Sequence, residues 1–402
     1  METPSPLPLS GKHVALGVTG SISAFKAADL ASKLRQAGAT VEVVMTPAAT
    51  QFVTPLTFQS LTGRPVVVDM FAAAEAEAHV EVARRADVFV IAPATAGCLA
   101  RLAHGMTSDM VTLTALATTA PILTAPAMDN QMWEHPATQE NVTTLRNRGV
   151  EFVGPMEGRL ASGRSGLGRL AEVPQVVGAV RMLIGQRTGD FAGRHIVVSA
   201  GGTQEPLDPV RYVGNRSTGK MGFAIAEAAR DRGAHVTLVT GPVALETPYG
   251  IHRVDVNTVA EMLVALEQAT ADSDAIIMSA APADYRPANP SAHKLKKSSD
   301  EGGLDIELVK NPDIIATLPA GGVRVGFAAE TRNLEEYARQ KLPAKRLDFI
   351  VANDVSAAGS GFGTDTNQVT IFHSDGQHEE LPMMTKYAVG LAILDRVAAR
   401  LS

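Results

Sequence analysis

The chain has 402 residues, of which 45% are hydrophobic and 19% charged, with 35 glycines and a formal net charge of -6. This length favours two domains, because single hydrophobic cores rarely grow so large. The small net charge predicts no broad basic surface for nucleic acid, and no apolar run reaches the ~20 residues of a membrane span. With one cysteine, Cys98, the chain has no internal disulfide, and we expect a cytoplasmic protein that binds small molecules.

The first half of the chain alternates apolar runs with helix-length segments. The segment METPSPLPLSGK at 1–12 is rich in proline and lacks the basic-then-apolar order of a signal peptide, so we predict a flexible tail. HVALGV at 13–18 then predicts a buried strand, and the Gly/Ser turn and amphipathic stretch after it predict a loop and a helix. Three later runs predict further buried parallel strands in a domain over 13–187, namely VEVVM, DVFVIA and PILTA.

The same pattern begins again at Arg194. The predicted strands of this half are HIVVSAGG, AHVTLV, DAIIMSA, VRVGFA and DFIVAND, with helices near 222–232 and 259–269. AGATVEVVMT in the first half matches RGAHVTLVTG in the second. We therefore predict an α/β protein of two doubly wound, Rossmann-like domains with mainly parallel sheets, joined by a polar linker at 188–193 and followed by a second domain at 194–402.

Two glycine-rich segments are candidate ligand loops. GPMEGRLASGRSGLGRL at 154–170 has no periodicity and predicts a mobile flap, with an ordinary surface loop as the alternative. GNRSTGKM at 214–221 almost matches a P-loop, but it begins well after its strand and Met221 stands where a Mg²⁺-binding hydroxyl is needed. We predict a helix from Lys220 whose free amides bind an anion, and a plain helix cap remains the alternative.

These motifs together resemble the bifunctional phosphopantothenoylcysteine decarboxylase / phosphopantothenate-cysteine ligase family of bacterial coenzyme A synthesis. In the second half the resemblance rests on GGTQEPLDPVRYVGNRSTGKMGFAIA, SAAPADYRP, KLKK, VKNPDI, GFAAET and IVANDV. In the first half it rests on GVTGSISAFK, APATA, GMTSD and PAM. It implies a first domain that binds FMN and decarboxylates, and a second that joins 4′-phosphopantothenate to L-cysteine with CTP through an acyl-cytidylate.

The resemblance also assigns residues in the ligase half. Asn215 is expected at the acyl-cytidylate carbonyl, Lys294 at the triphosphate, and Asp284 at the nucleotide together with Mg²⁺. The expected cytidine pocket consists of Met278, Ser279, Ala280, Pro312, Asp313, Ile314, Ile315 and Phe327. Without the resemblance, Phe327 would be assigned to the core and Asp284 to a polar strand end.

Two further lysines, Lys341 and Lys345, are implied triphosphate contacts. Their spacing places them on one face of a helix, but Pro343 is expected to end or kink that helix between them. Lys345 can then point away, with Arg346 in its place, or lie on a solvated helix face.

In the decarboxylase half the resemblance implies an FMN site and a substrate, 4′-phosphopantothenoylcysteine, that is converted to 4′-phosphopantetheine. His79 is the implied active-site histidine, although a lone histidine is more often structural. The implied FMN contacts are Thr19, Gly20, Ser21, Ile22, Thr46, Pro93, Ala94, Thr95, Ser108 and Asp109. The implied substrate contacts are Met128, Asp129, Asn130 and Arg169.

Two positions depart from the family pattern. Ser162 stands where the family commonly has the flap cysteine that donates a proton, and an alcohol is a far weaker acid than a thiol. Asp129 stands where many relatives have the asparagine that binds the substrate carboxylate. Two carboxylates ~4 Å apart repel by about 4 kcal/mol at an effective dielectric of about 20. Three arrangements avoid this repulsion. Asp129 can be protonated, it can pair with Arg164 or Arg169, or it can turn away so that Asn130 supplies the amide that binds the substrate carboxylate.

Three functions therefore remain to be separated. The first is the bifunctional enzyme, and the second is a ligase whose first domain binds FMN but is impaired as a decarboxylase. The third, a dinucleotide-dependent oxidoreductase, is weakened because no G-x-G-x-x-G follows either opening strand. The resemblance further implies a homo-oligomer, with trimeric contacts in the flavoprotein half and dimeric contacts in the ligase half.

Overall fold

The structure, a computed structural model, describes residues 7–71, 77–296, 304–330, 334–354, 361 and 363–401. These residues form two compact units, of which the first ends at Ile184 and the second begins at Gly185. Among the described residues, no helix has the length and apolar character needed to cross a membrane.

The first unit is built around one parallel sheet. Its strands are β1 His13–Val18, β2 Thr40–Met45, β3 Val66–Val67, β4 Val88–Ala94, β5 Ile122–Pro126, β6 Glu151–Phe152, β7 Met156–Arg159 and β8 Ser165–Arg169. Its helices are α1 Ala24–Gln36, α2 Pro55–Thr62, α3 Ala78–Arg85, α4 Ala96–His104, α5 Met110–Ala117, α6 Asn130–Glu134, α7 Pro136–Asn147 and α8 Val173–Thr188. The strand order is β3-β2-β1-β4-β5-β6, and β7 pairs with β8 in a separate antiparallel hairpin.

Continuous burial explains why the main strands read as uninterrupted apolar runs. Every residue of β4 is buried, and in β1 only His13 is partly exposed. A parallel sheet covered by helices on both faces requires such strands. Since β1 lies between β2 and β4, the chain direction across the sheet reverses there, so the loops after β1 and β4 diverge at a topological switch point.

The second unit repeats this plan around a larger sheet. Its strands are β9 His195–Ala200, β10 Gln204–Pro206, β11 Tyr212–Gly214, β12 His235–Thr240, β13 His252–Asp255, β14 Ala275–Met278, β15 Tyr285–Pro287, β16 Leu308–Lys310, β17 Val323–Glu330, β18 Phe349–Asp354, β19 Thr366–Asn367, β20 Val369–His373, β21 His378–Glu380 and β22 Met384–Thr385. Its helices are α9 Lys220–Asp231, α10 Val259–Ala269, α11 Ile314–Thr317, α12 Leu334–Ala344 and α13 Lys386–Leu401.

The main sheet of this unit has the order β13-β12-β9-β14-β17-β18-β20-β21. The strands from β13 to β18 are parallel, whereas β20 and β21 add an antiparallel edge. One hydrophobic cluster lies under α9 and α13 and another under α10 and α11, so both faces of the sheet are covered. In this sheet the topological switch point lies between β9 and β14. The predicted α/β fold class with two doubly wound domains is confirmed.

Two expectations of mobility need correction. Residues 1–6 lie outside the described part, but Leu9 is only 1% exposed and its N–H donates to Ala37 O over 2.8 Å. The prediction of a flexible tail is therefore wrong for residues 7–12, because apolar contact and a backbone hydrogen bond fix them. Within the glycine-rich segment 154–170, the structure forms the ordered hairpin of β7 and β8 rather than an irregular loop.

Glu379 on the edge strand β21 anchors α13 and predicts a pH dependence. Its Oε2 accepts from Arg396 Nη2 over 2.5 Å and its Oε1 lies 3.1 Å from His373 Nε2. The hydrogen bond from Arg396, followed by that from His373, lowers the pKa of Glu379 to about 2 although burial opposes the shift. Since the unfolded value is near 4.5, the carboxylate stabilises the fold above that pH, and the contribution is lost as the pH falls toward 2.

We expect Glu379→Gln to lower the free energy of unfolding by about 1 kcal/mol at pH 6, a value reduced for the partial exposure of the pair. The deficit should shrink steadily below pH 4.5. Denaturant unfolding of both proteins between pH 6 and pH 3 measures it, with Glu380→Gln on the same strand as the control. A deficit that does not change with pH would contradict the assignment.

Candidate functional site

In the first unit, hydrogen bonds tie the ends of β1 and β4 together at the switch point. Thr19 Oγ1 donates to Pro93 O over 2.7 Å and accepts from Thr95 N over 3.2 Å. Gly20 leaves no room for a side chain, since an added Cβ would lie 2.6 Å from Ala48 Cβ. The loop between β1 and α1 is thus held against the neighbouring strand ends, where open parallel sheets bind ligands.

The other predicted contacts of this edge have mixed environments. Thr46 Oγ1 accepts from Ala49 N over 3.2 Å, at the end of β2. Asp109 is buried, caps α5 through Thr112 N over 2.9 Å and pairs with Arg101 over 3.1 Å. Its carboxylate is therefore occupied within the protein. Of the remaining residues, Ser21 and Ile22 lie in the loop after β1 and are partly exposed or exposed, and Ala94 is the buried last residue of β4. Ser108 is exposed in the loop between α4 and α5.

The predicted catalytic histidine lies in the first turn of α3. His79 is half-buried, and α3 packs against α5, the helix that Asp109 caps. Residues 72–76, immediately before this helix, lie outside the described part. His79 thus lies on the helix next to α5, which follows the motif GMTSD at 105–109. Within the described residues its ring makes no hydrogen bond that would indicate a chemical role.

The β7–β8 hairpin lies directly on the loop between β5 and α6. Met128 N donates to Gly168 O over 3.0 Å, and a Cβ on Gly168 would lie only 2.2 Å from Met128 O. A Cβ on Gly166 would lie 3.0 Å from Asn130 Cβ. Glycine is required at 168 for this close backbone approach, which explains part of the glycine content of the segment.

The two departures from the family pattern contact each other. Ser162 Oγ donates to Asp129 Oδ2 over 2.8 Å, and Asp129 Oδ1 caps α6 by accepting from Gln131 N over 3.1 Å. The Ser162 hydroxyl is the largest cause that lowers the pKa of Asp129, and the charge of Arg164 adds to it. Both effects favour the ionised form of Asp129 in the structure, which counts against a protonated Asp129.

The neighbours of Asp129 bear on the other two arrangements. Arg169 pairs with Glu172 over 2.5 Å rather than with Asp129. Asn130 Oδ1 is buried and has no hydrogen-bond partner within the described residues. The O and N atoms of an asparagine side chain are told apart by their hydrogen-bond partners. Because this end of the Asn130 amide has no partner, it can be either the C=O acceptor or the NH₂ donor. Two of the predicted arrangements therefore stay open: Arg164 acts on the Asp129 carboxylate through its charge, and Asn130 is the amide next to it.

In the second unit, two adjoining cavities open at the switch point between β9 and β14. We name them cavity A, of about 190 Å³, and cavity B, of about 310 Å³. The loop after β14 borders both, and the Gly202–Ala281 bridge joins it to the loop after β9. The residues shared by the two cavities are Ala280, Pro282, Asp284, Phe327 and Lys341.

Cavity A combines apolar walls with a charged rim. Its lining contains the predicted residues Met278, Ala280, Asp284, Pro312, Asp313, Ile314, Ile315, Phe327, Lys341 and Lys345. Phe327 is thus a cavity residue and not only part of the core. Asn311, which the sequence did not single out, is buried beside it and donates through Nδ2 to Ala283 O over 2.9 Å.

Cavity B carries the glycine-rich turn before α9. Its lining contains Asn215, Ser217, Thr218, Gly219 and Lys220 from that turn, and Ser279 from the loop after β14. Asn215 Nδ2 donates to Pro282 O over 2.8 Å, which fixes its amide at the border of the cavity. Ser279 Oγ is buried without a partner among the described residues, so a hydrogen-bonding group is missing there.

Lys345 lies at cavity A in spite of Pro343. The helix α12 ends at Ala344, yet Lys345 N still donates to Lys341 O over 3.0 Å and its ammonium pairs with Asp313 over 2.9 Å. Arg346 instead donates to Ala316 O over 3.0 Å. Of the two alternatives, the structure therefore places Lys345 at the cavity and uses Arg346 to cap backbone carbonyls.

Lys294 is the predicted ligase residue that lines neither cavity A nor cavity B. It is exposed in the segment after β15, and residues 297–303 lie outside the described part. The next residue is held to the protein, because Leu295 N donates to Asp208 Oδ2 over 3.1 Å. Asp284 lies at both cavities, but the described residues contain no cluster of three or more acidic, His or Cys side chains that could hold a metal.

Sequence reasoning missed the buried lysine of cavity B. Lys386 begins α13 and is only 5% exposed. In the sequence, the only sign of this buried position is a lysine at the start of a mainly apolar helix. Surface helices often begin with a lysine as well, so the pattern does not indicate burial. Lys220 was visible in GNRSTGKM, but there it was read as a helix start and not as a ligand.

The geometry can now be compared with known proteins. Residues 2–185 match the family model described as Flavoprotein, and residues 191–401 match the model described as DNA/pantothenate metabolism flavoprotein C-terminal domain. The chain is 47% identical over 392 residues to the coenzyme A biosynthesis bifunctional protein CoaBC of Vibrio cholerae, covering 96% of this chain and 98% of that protein. It is 46% identical over 398 residues to the Bacillus subtilis protein of the same name, covering 97% and 98%. A crystal structure of the C-terminal domain of a CoaBC protein is 39% identical with a TM-score of 0.46, covering 53% of this chain and 98% of that one.

The single cysteine is expected to be unreactive in the folded protein. Cys98 is buried in the first turn of α4, where desolvation and, secondarily, the charge of Asp109 raise its pKa to about 12. We expect labelling by Ellman's reagent at pH 8 to be at least about 100-fold slower than for free cysteine, because the thiolate is the reactive form. Unfolding in guanidinium should release one thiol per chain, and the exposed variant Ser162→Cys is the positive control. Rapid labelling of the native protein would show that Cys98 is accessible.

Proposed function

The chain belongs to the family of coenzyme A biosynthesis bifunctional proteins, and from this premise we propose that its two units perform two successive reactions on one substrate. The second unit ligates 4′-phosphopantothenate to L-cysteine at the expense of CTP. The first unit, with FMN, decarboxylates the resulting 4′-phosphopantothenoylcysteine and yields 4′-phosphopantetheine. The observation that carries the ligase site is the pair of adjoining cavities with Asn215, Asp284 and Lys341 at their border.

We assign the cytidine moiety to cavity A. The side chains of Met278, Ile315 and Phe327 supply the apolar walls that a base needs, and backbone groups of 312–315 supply polar edges. The ion pair with Asp313 partly neutralises the charge of Lys345. Lys341 borders both cavities and can therefore contact phosphate groups that extend from cavity A into cavity B. Lys294 stays a proposed contact that has to move from its exposed position.

The ligation itself needs two displacements. The carboxylate oxygen of phosphopantothenate attacks the α-phosphorus of CTP and pyrophosphate leaves, which gives the acyl-cytidylate. The cysteine amine then attacks the acyl carbon and CMP leaves. Asn215 is anchored by Pro282 O and can direct its second N–H to the carbonyl oxygen, where negative charge develops when the cysteine amine adds to the acyl carbon. Asp284 would help hold a Mg²⁺ ion that binds together with the triphosphate, and that ion would neutralise part of the phosphate charge.

The switch point of the first unit fits FMN. A flavin phosphate needs hydroxyls and backbone amides. The hydrogen bonds of Thr19 with Pro93 O and Thr95 N hold the loop after β1 in place, and the amides of Gly20 and Ile22 and the Ser21 hydroxyl are proposed to bind the phosphate. When bound, FMN supplies the redox chemistry that makes loss of the substrate carboxylate possible. The proposed contacts are Thr19 to Ile22, Thr46, Pro93 to Thr95 and Ser108, while Asp109 shapes the site through α5 rather than by direct contact.

The hairpin determines how the decarboxylase substrate is held. The ionised form of Asp129 is favoured and would repel the substrate carboxylate, so we propose that Asn130 donates to that carboxylate and Met128 packs beside it. His79 is proposed to supply positive charge or a proton at the same end of the sheet. Arg169 is engaged by Glu172 and orients the hairpin base.

We further propose a homo-oligomer in the cytoplasm. Phe25 is 61% exposed, Leu56 66% and Phe71 87%, which leaves large apolar side chains uncovered on the first unit. The family resemblance suggests trimeric contacts for this unit and dimeric contacts for the ligase unit. The water-soluble thiol and nucleotide substrates support a cytoplasmic location.

The proposed function is tested by assaying both reactions with purified protein. We expect pyrophosphate release over many turnovers only when CTP, phosphopantothenate and cysteine are all present, with at most one equivalent per site when cysteine is left out. We also expect ¹⁴CO₂ release from carboxyl-labelled phosphopantothenoylcysteine by protein carrying FMN. The ligase is overturned if pyrophosphate release does not depend on phosphopantothenate. Ligation without any CO₂ release would establish instead the ligase whose first domain is impaired, the alternative that the Ser162–Asp129 hydrogen bond favours.

The Ser162 hydroxyl is expected to limit the final reduction of the decarboxylation product. Its proton is directed at the ionised Asp129, and an alcohol is a weaker acid than a thiol by several pKa units. We expect Ser162→Cys to raise the anaerobic rate of 4′-phosphopantetheine formation about tenfold or more, with a smaller change in CO₂ release. Asp129→Asn is the matched comparison, because it should lower KM for the substrate without supplying an acid. Equal product rates in wild type and Ser162→Cys would show that another group delivers the proton.

A further inference from the structure

A short helix forms one wall of cavity A. The helix α11, Ile314–Thr317, has only four residues, and residues 312–315 line the cavity to which we assign the cytidine. A single helical turn is not stable by itself, so its neighbours have to fix it. Asp313 caps its first end by accepting from Ala316 N over 3.2 Å, and the same carboxylate pairs with Lys345. The contacts at the other end therefore decide how well this wall is fixed.

A buried arginine binds the carbonyl groups at the C-terminal end of α11. Arg324 is 4% exposed on β17, where its Nη1 donates to Pro319 O over 2.7 Å and its Nη2 donates to Ile315 O. The last carbonyl groups of a helix have no partner within the helix, and a cation at that end is favourable. Arg324 thus satisfies the end of α11 from the buried side.

A second arginine binds the same end of the helix. Arg346 Nη2 donates to Ala316 O over 3.0 Å and to Leu318 O over 3.2 Å. Its backbone has a φ of 52°, a conformation that residues other than glycine rarely adopt. A glycine would therefore suit the turn after α12 better. The turn does not explain the arginine, whereas the hydrogen bonds to α11 do.

Burial of Arg324 lowers the stability of the protein unless acceptors compensate for it. Desolvation lowers the pKa of Arg324 and the charge of Arg346 lowers it further, whereas the charge of Asp348 opposes the shift. Its Nε is buried and has no partner within the described residues. Among those residues, the acceptors of its other nitrogens all belong to α11 and the two residues after it. The guanidinium and the end of α11 therefore depend on each other.

A fixed wall is important for recognition of the base. The N4 amino group of cytosine donates a hydrogen bond and its N3 accepts one, whereas uracil accepts at O4 and donates at N3. Backbone N–H and C=O groups of residues 312–315 can distinguish these two patterns only if they keep their positions. Movement of α11 would let the same groups bind either base.

We propose that Arg324 and Arg346 are positioning residues that determine the affinity and selectivity of cavity A for cytidine. They act through α11, whose carbonyl groups they bind, and neither of them lines the cavity. The proposal rests on the assignment of the cytidine moiety to cavity A and adds to it the residues that hold one wall. Loss of either guanidinium weakens binding of the base, while the reacting atoms are not touched.

Substitutions at both positions separate positioning from a general structural role. Arg324→Met removes all hydrogen bonds to the end of α11, and Arg324→Lys keeps part of them in case the methionine variant does not fold. Arg346→Gly removes the guanidinium and at the same time relieves the positive φ, and Arg346→Lys should restore part of the lost function. Arg230→Met is the matched control, because Arg230 is 1% exposed and donates to Tyr249 O over 2.8 Å but lines neither cavity.

The readouts are isothermal titration of the full chain with CMP and steady-state kinetics with CTP or UTP as the nucleotide. We expect Arg324→Met to raise KM for CTP about tenfold and to lower the preference for CTP over UTP in kcat/KM about tenfold, with changes of about threefold for Arg346→Gly. The values of kcat and of KM for phosphopantothenate and cysteine should stay within about twofold of wild type. Arg230→Met should lower the midpoint of thermal unfolding but leave the preference for CTP unchanged.

The proposal is overturned if Arg346→Gly and the folded variant of Arg324 keep the wild-type KM for CTP and the wild-type preference over UTP, even if they unfold at a lower temperature. A parallel rise in KM for all three substrates would also contradict it, because that result indicates a general loss of packing. Failure of the cytidine assignment has a different signature. Phe327→Ala changes the lining of cavity A directly, and an unchanged KM for CTP in that variant would show that the cytidine binds elsewhere.

Discussion

The parallel pairing of two central strands is the constraint on which both sites depend. In the first unit β1 pairs with β4, and in the second β9 pairs with β14. Parallel neighbours bring their carboxyl ends to one edge of the sheet, and the change of direction in strand order makes the following loops part there. The loop after β1 and the loop after β14 therefore start from fixed strand ends, and side-chain hydrogen bonds such as those of Thr19 and Thr203 hold them further in place. Substitutions in these loops can change chemistry without loss of the fold.

The two units use the same edge with different chemistry. At the first edge the Thr19 and Thr95 groups have no net charge and hydrogen-bond to each other. At the second edge the lining of cavity B contains three lysines, Lys220, Lys341 and Lys386. This contrast agrees with the proposed functions, since a flavin that stays bound needs shape and hydrogen bonds, whereas the phosphates of a nucleotide in turnover need counter-charge.

The sequence predicted those features that depend on local periodicity and motif spacing. Buried strands such as β4 and helices such as α9 follow from apolar runs and from the glycine turn before Lys220. Features set by tertiary contact were missed. Leu9 reads as part of a proline-rich tail but is fixed by a hydrogen bond to the end of α1, and the edge strands β20 and β21 carry too mixed a pattern to stand out.

The same reasoning applies to the candidate sites. The residues around cavity A were found through collinear motifs, but the environment of Lys386 depends on the backbone carbonyls of Gly361 and Thr364, which no pattern in its own helix reveals. Likewise Ser162 and Asp129 are 33 residues apart, and only the hairpin brings them within hydrogen-bonding distance. Long-range pairs of this kind are set by the packing of whole elements.

The cysteine content of the chain also bears on how the protein withstands oxidants. Its only sulfhydryl, Cys98, is buried in the first turn of α4, so the chain exposes no thiol that peroxides or electrophiles can convert to a sulfenic acid or a thioether. At the tip of the β7–β8 hairpin Ser162 carries a hydroxyl, which cannot form a mixed disulfide with a thiol compound. The proposed decarboxylase site is therefore one that thiol oxidation of the protein does not block.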